Sequence, residues 1–199
     1  GTNVTIGQPI SHRIDHMLSG TRANIATYGG DPSFVAVTGG SAGGHLTALM
    51  GLTPNDSRLQ PGFESVDTRA AACVPFYGVY DFVDRHGLKG SGAEMVRWLE
   101  KTVMPCSPQA DPKLWDLASP IEQVRADEPP FFVLHGTHDS LASVEEARLF
   151  VERLRAAGHA YVQFGLQFPN HYRLMFMTPH PRHEAEESAI AKGDPDQDS

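Results

Sequence analysis

The chain has 199 residues, of which 40% are hydrophobic and 20% are charged, a composition typical of a globular domain with a hydrophobic core. Its net charge is −8 and it contains no basic run, so nucleic acid is not an expected partner. No apolar run approaches the roughly 18 residues that cross a bilayer, and its two cysteines cannot form a disulfide framework. We therefore expect a cytoplasmic protein without a transmembrane segment.

The first interpretable part of the chain predicts a helix followed by a short strand. The helix begins near Ser19 and ends at Gly29 and Gly30, because paired glycines commonly terminate helices. The strand covers Phe34–Thr38 and is apolar on both faces, as expected of a buried parallel strand. It leads directly into the glycine-rich stretch Gly39–His45.

This glycine-rich stretch predicts a catalytic serine. Residues Gly39–Gly43 read G-x-S-x-G between a strand and a helix, the pattern of a nucleophile elbow. The tight turn lifts the Ser41 hydroxyl clear of the sheet and directs the N–H group of Ala42 to the place where an oxyanion would form. The alternatives are a turn that only packs and a turn that binds phosphate, although a phosphate loop favours a nearby lysine and none is present.

The rest of the chain alternates strands with helices. Further strands are predicted over residues 70–78, 131–136 and 160–168, and Ser143 is predicted to cap a helix that Gly158 closes. Alternation of this kind indicates an α/β fold in which helices flank a mostly parallel sheet.

We predict a single domain over residues 1–199, with a helical, cap-like insertion at 79–128 and a disordered tail at 191–199. The insertion contains an amphipathic helix and both tryptophans, so it can form the wall against which an acyl chain lies. A scaffold insertion that never contacts substrate is the alternative. The predicted substrate-binding residues lie in the elbow or in this insertion: Gly40, Trp98, Leu99 and Trp115.

An elbow serine needs a base and an acid that orients the base. Asp139 follows the third strand and His171 follows the fourth, and the carboxyl ends of parallel strands meet at one edge of a sheet. We expect Asp139 to orient His171, which takes the proton from Ser41. His135 and His138 are predicted to shape the turn around Asp139, since nothing else clusters with them as metal ligands.

Other residues of the same types compete for these roles. Asp81, which follows the second strand, is the alternative acid, and His180 and His183 are alternative bases. His45 lies one helical turn beyond the serine, where we expect it to pack in the core.

Four stretches resemble the hormone-sensitive-lipase-like branch of the α/β-hydrolase esterases and lipases: Tyr28–Pro32, Gly39–His45, His135–Leu141 and Asn170–His171. The resemblance covers roughly residues 22–172. It implies an α/β-hydrolase fold and hydrolysis of carboxylic esters through an acyl-serine intermediate, without a metal or cofactor. It also implies Ser41 as nucleophile, Asp139 as acid, His171 as base and Ala42 as one oxyanion donor.

The chain departs from that branch in lacking an upstream His-Gly-Gly-Gly stretch, which supplies further oxyanion donors. We therefore expect an N-terminally truncated domain whose early strands are missing. Loss of one oxyanion donor costs about 10²–10³ in rate, and an uncovered first strand invites self-association. Short to medium acyl esters are the expected substrates. A peptidase or amidase of the same fold and a non-catalytic relic that binds ligands remain alternatives.

Overall fold

A computed structural model of the chain describes residues 18, 20–60, 64–88 and 92–158. The predicted fourth strand, His171 and the tail lie outside this part of the chain, and the single-domain organisation stays a prediction. Within the described part, no helix is long and apolar enough to span a membrane. In chain order the elements are a 3-10 helix at Ile25–Tyr28, β1 at Ala36–Gly40, α1 at Ala42–Leu52, β2 at Ala72–Phe76, α2 at Gly92–Thr102, α3 at Pro112–Ala118, a second 3-10 helix at Pro120–Glu122 and α4 at Val144–Ala156.

The sheet is parallel, as the alternation of strands and helices predicts. β1 and β2 pair in parallel, with Gly40 opposite Phe76 at their carboxyl ends. The predicted third strand appears as an extended segment that forms parallel bridges to β2 at Phe131 and Leu134. Successive carbonyl groups of a strand point to opposite sides. The Phe76 carbonyl accepts from Ser41, which follows β1, whereas the Pro75 carbonyl accepts from the Leu134 N–H at 3.0 Å. The third segment therefore lies on the opposite side of β2 from β1.

The first strand differs from its prediction in both limits and burial. β1 begins two residues later than predicted and alternates between exposed and half-buried positions. Phe34 precedes it and is 65% exposed. A parallel strand is buried on both faces only when other elements cover both, and in the described part of the chain β2 alone pairs with β1.

Two hydrophobic clusters form the described core. α4 contributes apolar side chains of one face to the first, in which Tyr80 stacks on Phe150 with ring centroids 4.4 Å apart. Cys73 is fully buried there, and burial raises the pKa of its thiol to about 12. The second cluster lies within the 79–128 insertion and centres on Trp115. The insertion therefore has a core of its own: Phe82, Leu99, Met104, Trp115 and Ala118.

Candidate active site

Ser41 lies at the junction of β1 and α1, in the strand–turn–helix context that its motif predicts. Its backbone has φ 55° and ψ −118°, outside the regions that a non-glycine residue ordinarily occupies. Two hydrogen bonds hold this conformation. The Ser41 N–H donates to the Phe76 carbonyl at 3.0 Å, and the Ser41 carbonyl accepts from the His45 N–H at 3.0 Å. Strain that the surrounding structure enforces is typical of functional sites.

The glycines around Ser41 allow strand and helix to approach each other closely. A Cβ atom on Gly44 would lie 2.5 Å from the Phe76 carbonyl oxygen and 3.0 Å from Gly78 Cα. A Cβ atom on Gly39 would lie 2.6 Å from the Gly43 carbonyl oxygen. Both contacts are with backbone atoms, which cannot rotate away as a side chain could. The close approach therefore requires glycine at positions 39 and 44, whereas a Cβ atom on Gly43 would meet nothing within 4 Å.

The N-terminus of α1 points its first-turn N–H groups toward the same junction. These groups have no partner within the helix, and the Ser41 side chain makes no capping hydrogen bond to them. The positive end of the helix dipole adds to their electrostatic effect. The geometry at Ala42 therefore suits an oxyanion donor, and both Ser41 and Ala42 are exposed.

Asp139 lies in the loop between the third extended segment and α4. Its Oδ1 atom accepts hydrogen bonds from the N–H groups of Leu141 and Ala142, each at 2.9 Å. Ser143 then caps α4 by accepting from the Glu145 N–H at 3.2 Å. These bonds fix the loop on the C-terminal side of Asp139. Among the described residues these backbone bonds reach Oδ1, while Oδ2 lies 3.6 Å from His135 Nε2.

His135 contacts this loop and helps to shape it, as predicted. Its Nε2 atom lies 2.9 Å from the Ala142 carbonyl oxygen and 3.6 Å from Asp139 Oδ2. A carbonyl can only accept, so Nε2 carries the proton. Nδ1 is buried and has no hydrogen-bond partner among the described residues. Burial lowers the pKa of His135, and the ring is therefore neutral near pH 7. His138 is exposed and contacts the Thr137 hydroxyl at 3.0 Å.

Asp81, the alternative acid, performs a different task in this structure. Its side chain is buried in the loop after β2, where Oδ1 accepts from the Val83 N–H at 3.1 Å and Oδ2 from the Arg85 N–H at 2.8 Å. Both oxygens bind backbone, so this carboxylate closes a loop. The contrast favours Asp139 as the acid, although the assignment stays a prediction.

The predicted substrate-binding residues of the insertion occupy different environments. Trp98 is 56% exposed, whereas Leu99 and Trp115 are buried in the second hydrophobic cluster. The Trp115 indole packs edge-to-face against Phe82 and donates to the Cys106 carbonyl at 3.0 Å. Substrate contact stays a prediction for all three. Of the three, Trp98 alone has more than half of its surface exposed to solvent.

The prediction that His45 packs in the core is confirmed. Its ring stacks on Phe82 at 4.3 Å, and Nε2 lies 2.7 Å from the Ala118 carbonyl oxygen. This contact anchors α1 to the insertion.

Glu146 has a structural role that the sequence analysis missed. Its side chain is buried, and Oε1 accepts from the N–H groups of Tyr80 and Asp81, the latter at 2.7 Å. The carboxylate therefore ties α4 to the loop after β2. The sequence does carry a signal, because Glu146 precedes Phe150 by four residues and so lies on the apolar face of the helix.

In the described residues, no group of three or more His, Cys, Asp or Glu side chains is placed to hold a metal ion. A parallel sheet with a strained serine between strand and helix is characteristic of the α/β-hydrolase fold. The BD-FAE family model matches residues 12–154. The chain belongs to this family.

Similar proteins include esterases from bacteria. The chain is 48% identical over 163 residues to the probable carboxylic ester hydrolase LipM of Mycobacterium tuberculosis, covering 80% of this chain and 37% of that protein. It is 44% identical to the esterase LipQ of the same organism, covering 80% of this chain and 38% of that protein. The butyrate-bound thermophilic esterase Est2 of Thermogutta terrifontis superposes with a TM-score of 0.60 at 28% identity, covering 81% of this chain and 56% of Est2. The chain thus spans less than two fifths of the length of LipM and of LipQ.

Proposed function

We propose that this domain hydrolyses carboxylic esters through an acyl-serine intermediate. The observation that carries the proposal is the strained backbone of Ser41, with φ 55° and ψ −118°, held between a parallel strand and a helix N-terminus. Membership of the BD-FAE family and similarity to proteins named as esterases support the same reaction class.

In the proposed reaction the Ser41 hydroxyl oxygen attacks the ester carbonyl carbon while His171 takes the hydroxyl proton. The carbonyl π electrons move to oxygen, and the Ala42 N–H stabilises the resulting oxyanion. Collapse of the tetrahedral intermediate breaks the bond to the alcohol oxygen, which receives the proton from His171. A water molecule then releases the acid from the serine by the same steps. Asp139 orients His171 and stabilises its protonated form throughout.

We propose small esters with short to medium acyl chains as substrates. The similar esterase Est2 was solved with butyrate bound, which fits this size class. We propose the exposed Trp98 as the residue of the insertion that contacts this acyl chain. Hydrolysis rates for a series of p-nitrophenyl esters from acetate to palmitate would test the proposal, and a maximum at palmitate would contradict it.

The decisive test of the nucleophile is reaction of the purified chain with a fluorophosphonate probe. We expect one adduct per molecule, located on Ser41 by peptide mapping, and none in Ser41→Ala. Ser143→Gly is a matched control, because the Ser143 hydroxyl caps α4 and has no place in the proposed reaction. An adduct on another serine, or none in a folded sample, would contradict the proposal and favour a non-catalytic ligand-binding domain.

Paired variants distinguish the acid and the base from their competitors. Asp139→Asn is expected to slow labelling by about 10⁴, as in other serine triads, whereas Asp81→Asn should leave the labelling rate of the folded fraction near that of the wild type. His171→Ala should abolish labelling while His180→Ala and His183→Ala do not. The reverse pattern within either set would move the role to the competitor.

An amidase of the same fold is separated by its substrates. We expect a p-nitrophenyl ester to be cleaved far faster than the matching p-nitroanilide. Comparable rates would instead indicate a peptidase or amidase.

A further inference from the structure

Two described residues stand out by their backbone conformation. Five non-glycine residues in the described part of the chain have positive φ, and three of them are Asn or Asp, which tolerate this region comparatively well. The other two are Ser41 and Tyr77, with φ values of 55° and 37°. For a bulky aromatic residue a positive φ is an outlier that the surroundings must enforce.

These two residues lie side by side at the carboxyl ends of neighbouring strands. Gly40, the last residue of β1, is opposite Phe76, the last residue of β2, so Ser41 and Tyr77 are the residues that directly follow the two strands. The Ser41 N–H binds the Phe76 carbonyl, and the Tyr77 N–H donates to the Leu134 carbonyl at 2.7 Å. The strained conformation of Tyr77 is thus fixed from the far side of the sheet.

The Tyr77 side chain lies across the residue that precedes the nucleophile. A Cβ atom on Gly40 would be 2.6 Å from the phenol oxygen of Tyr77 and 2.8 Å from its Cζ atom. The phenol ring therefore occupies the space that a side chain at position 40 would need. The residue is nevertheless 39% exposed and belongs to neither hydrophobic cluster.

Core packing does not account for this arrangement, because a ring that served packing would be buried. Strain, exposure and proximity to the nucleophile occur together at Tyr77. We propose that Tyr77 is a substrate-contacting residue whose ring closes the β2 side of the site and limits the bulk of the ester group that can lie beside Ser41. This inference rests on the proposed ester hydrolysis.

Two variants separate the ring from the rest of the residue. Tyr77→Gly removes the ring at a position where glycine adopts the observed φ without strain, so the fold should be retained. Tyr77→Phe keeps the ring and loses only the hydroxyl. For each protein, kcat/KM is measured with p-nitrophenyl acetate, butyrate and octanoate, and Ser41 labelling by the fluorophosphonate probe is measured in parallel.

We expect Tyr77→Gly to raise the octanoate-to-acetate ratio of kcat/KM by about tenfold, which is the discrimination available from apolar contacts in a pocket. Tyr77→Phe should keep the wild-type ratio. Equal ratios in all three proteins, with Ser41 labelled in each, would overturn the role of Tyr77 and leave the proposed function intact. A wild type that neither labels nor hydrolyses esters would overturn the proposed function and the inference with it.

Gly40→Ala gives an independent check of the contact. The added methyl group must displace the phenol of Tyr77, so this variant should lower the melting temperature and alter the ester preference. In the Tyr77→Gly background the same methyl group meets no ring, and we expect its effects to be much smaller. Equal effects of Gly40→Ala in both backgrounds would contradict the placement of the ring.

Discussion

The close contact between α1 and the carboxyl end of β2 predicts opposite outcomes for two adjacent glycine-to-alanine substitutions. A methyl group on Gly44 would lie 2.5 Å from the Phe76 carbonyl oxygen and 3.0 Å from Gly78 Cα, so helix and strand must separate to admit it. Overpacking costs about 1–3 kcal/mol, and the upper end applies because both neighbours are backbone. Alanine restores about 1 kcal/mol of helix propensity. The expected net loss for Gly44→Ala is about 2 kcal/mol.

Gly43 is the matched control. A methyl group there would meet nothing within 4 Å, so Gly43→Ala should be neutral or stabilise the fold by about 0.5–1 kcal/mol. Urea unfolding followed by circular dichroism gives the unfolding free energy of both variants and of the wild type, all in the full chain. Because the two substitutions are chemically identical and adjacent, their difference reports the contact alone. A Gly44→Ala protein as stable as Gly43→Ala would refute this packing of the elbow.

Three further predictions follow from buried groups. Glu146→Ala leaves two buried N–H groups without an acceptor and should lower the unfolding free energy by at least about 2 kcal/mol, whereas Glu145→Ala, on the exposed face, should change it by about 0.5 kcal/mol or less. The pKa of His135 is lowered in the folded state, so the unfolded state binds the proton more readily and stability should fall as the pH drops below about 6.5. If the urea midpoint of unfolding is plotted against pH, His135→Gln should reduce its fall below that pH. Trp115→Ala should cost about 3–5 kcal/mol and Trp98→Ala about 0.5 kcal/mol or less, by the same unfolding measurement.

Each of these comparisons has an outcome that would contradict it. Equal losses for the two glutamate variants would mean that the buried carboxylate is not holding the loop after β2. An unchanged pH profile in His135→Gln would show that another group controls acid stability. Equal losses for the two tryptophan variants would contradict the difference in burial between them.

Local signals in the sequence were sufficient for the elements that depend on neighbouring residues. The start of α4 at Ser143 and its closure at Gly158 follow from capping chemistry that acts within one turn. The elbow at Ser41 follows from a glycine-flanked serine at the junction of a predicted strand and a predicted helix.

Features that depend on distant neighbours could not be predicted in this way. The run that includes Phe34 is apolar in sequence, but its burial depends on which strands flank it, and that residue is 65% exposed. Glu146 lies on the apolar face of its helix, but nothing local indicates that two backbone N–H groups of another segment lie within hydrogen-bond distance of its carboxylate. The position of the Tyr77 ring depends on a register between two strands, which no single stretch of sequence records.

Strain at the ends of two adjacent strands also affects the order in which the chain folds. A positive φ is energetically unfavourable for Ser41 and Tyr77 until the hydrogen bonds that enforce it have formed. Those bonds join the elbow to Phe76 and Tyr77 to Leu134, which lie far apart in the chain. Bringing such segments together costs chain entropy before the hydrogen bonds form and offset it. The reactive geometry is therefore expected to appear last during folding, after the helices and the strand pairing are complete, and to be lost first when the sheet loosens.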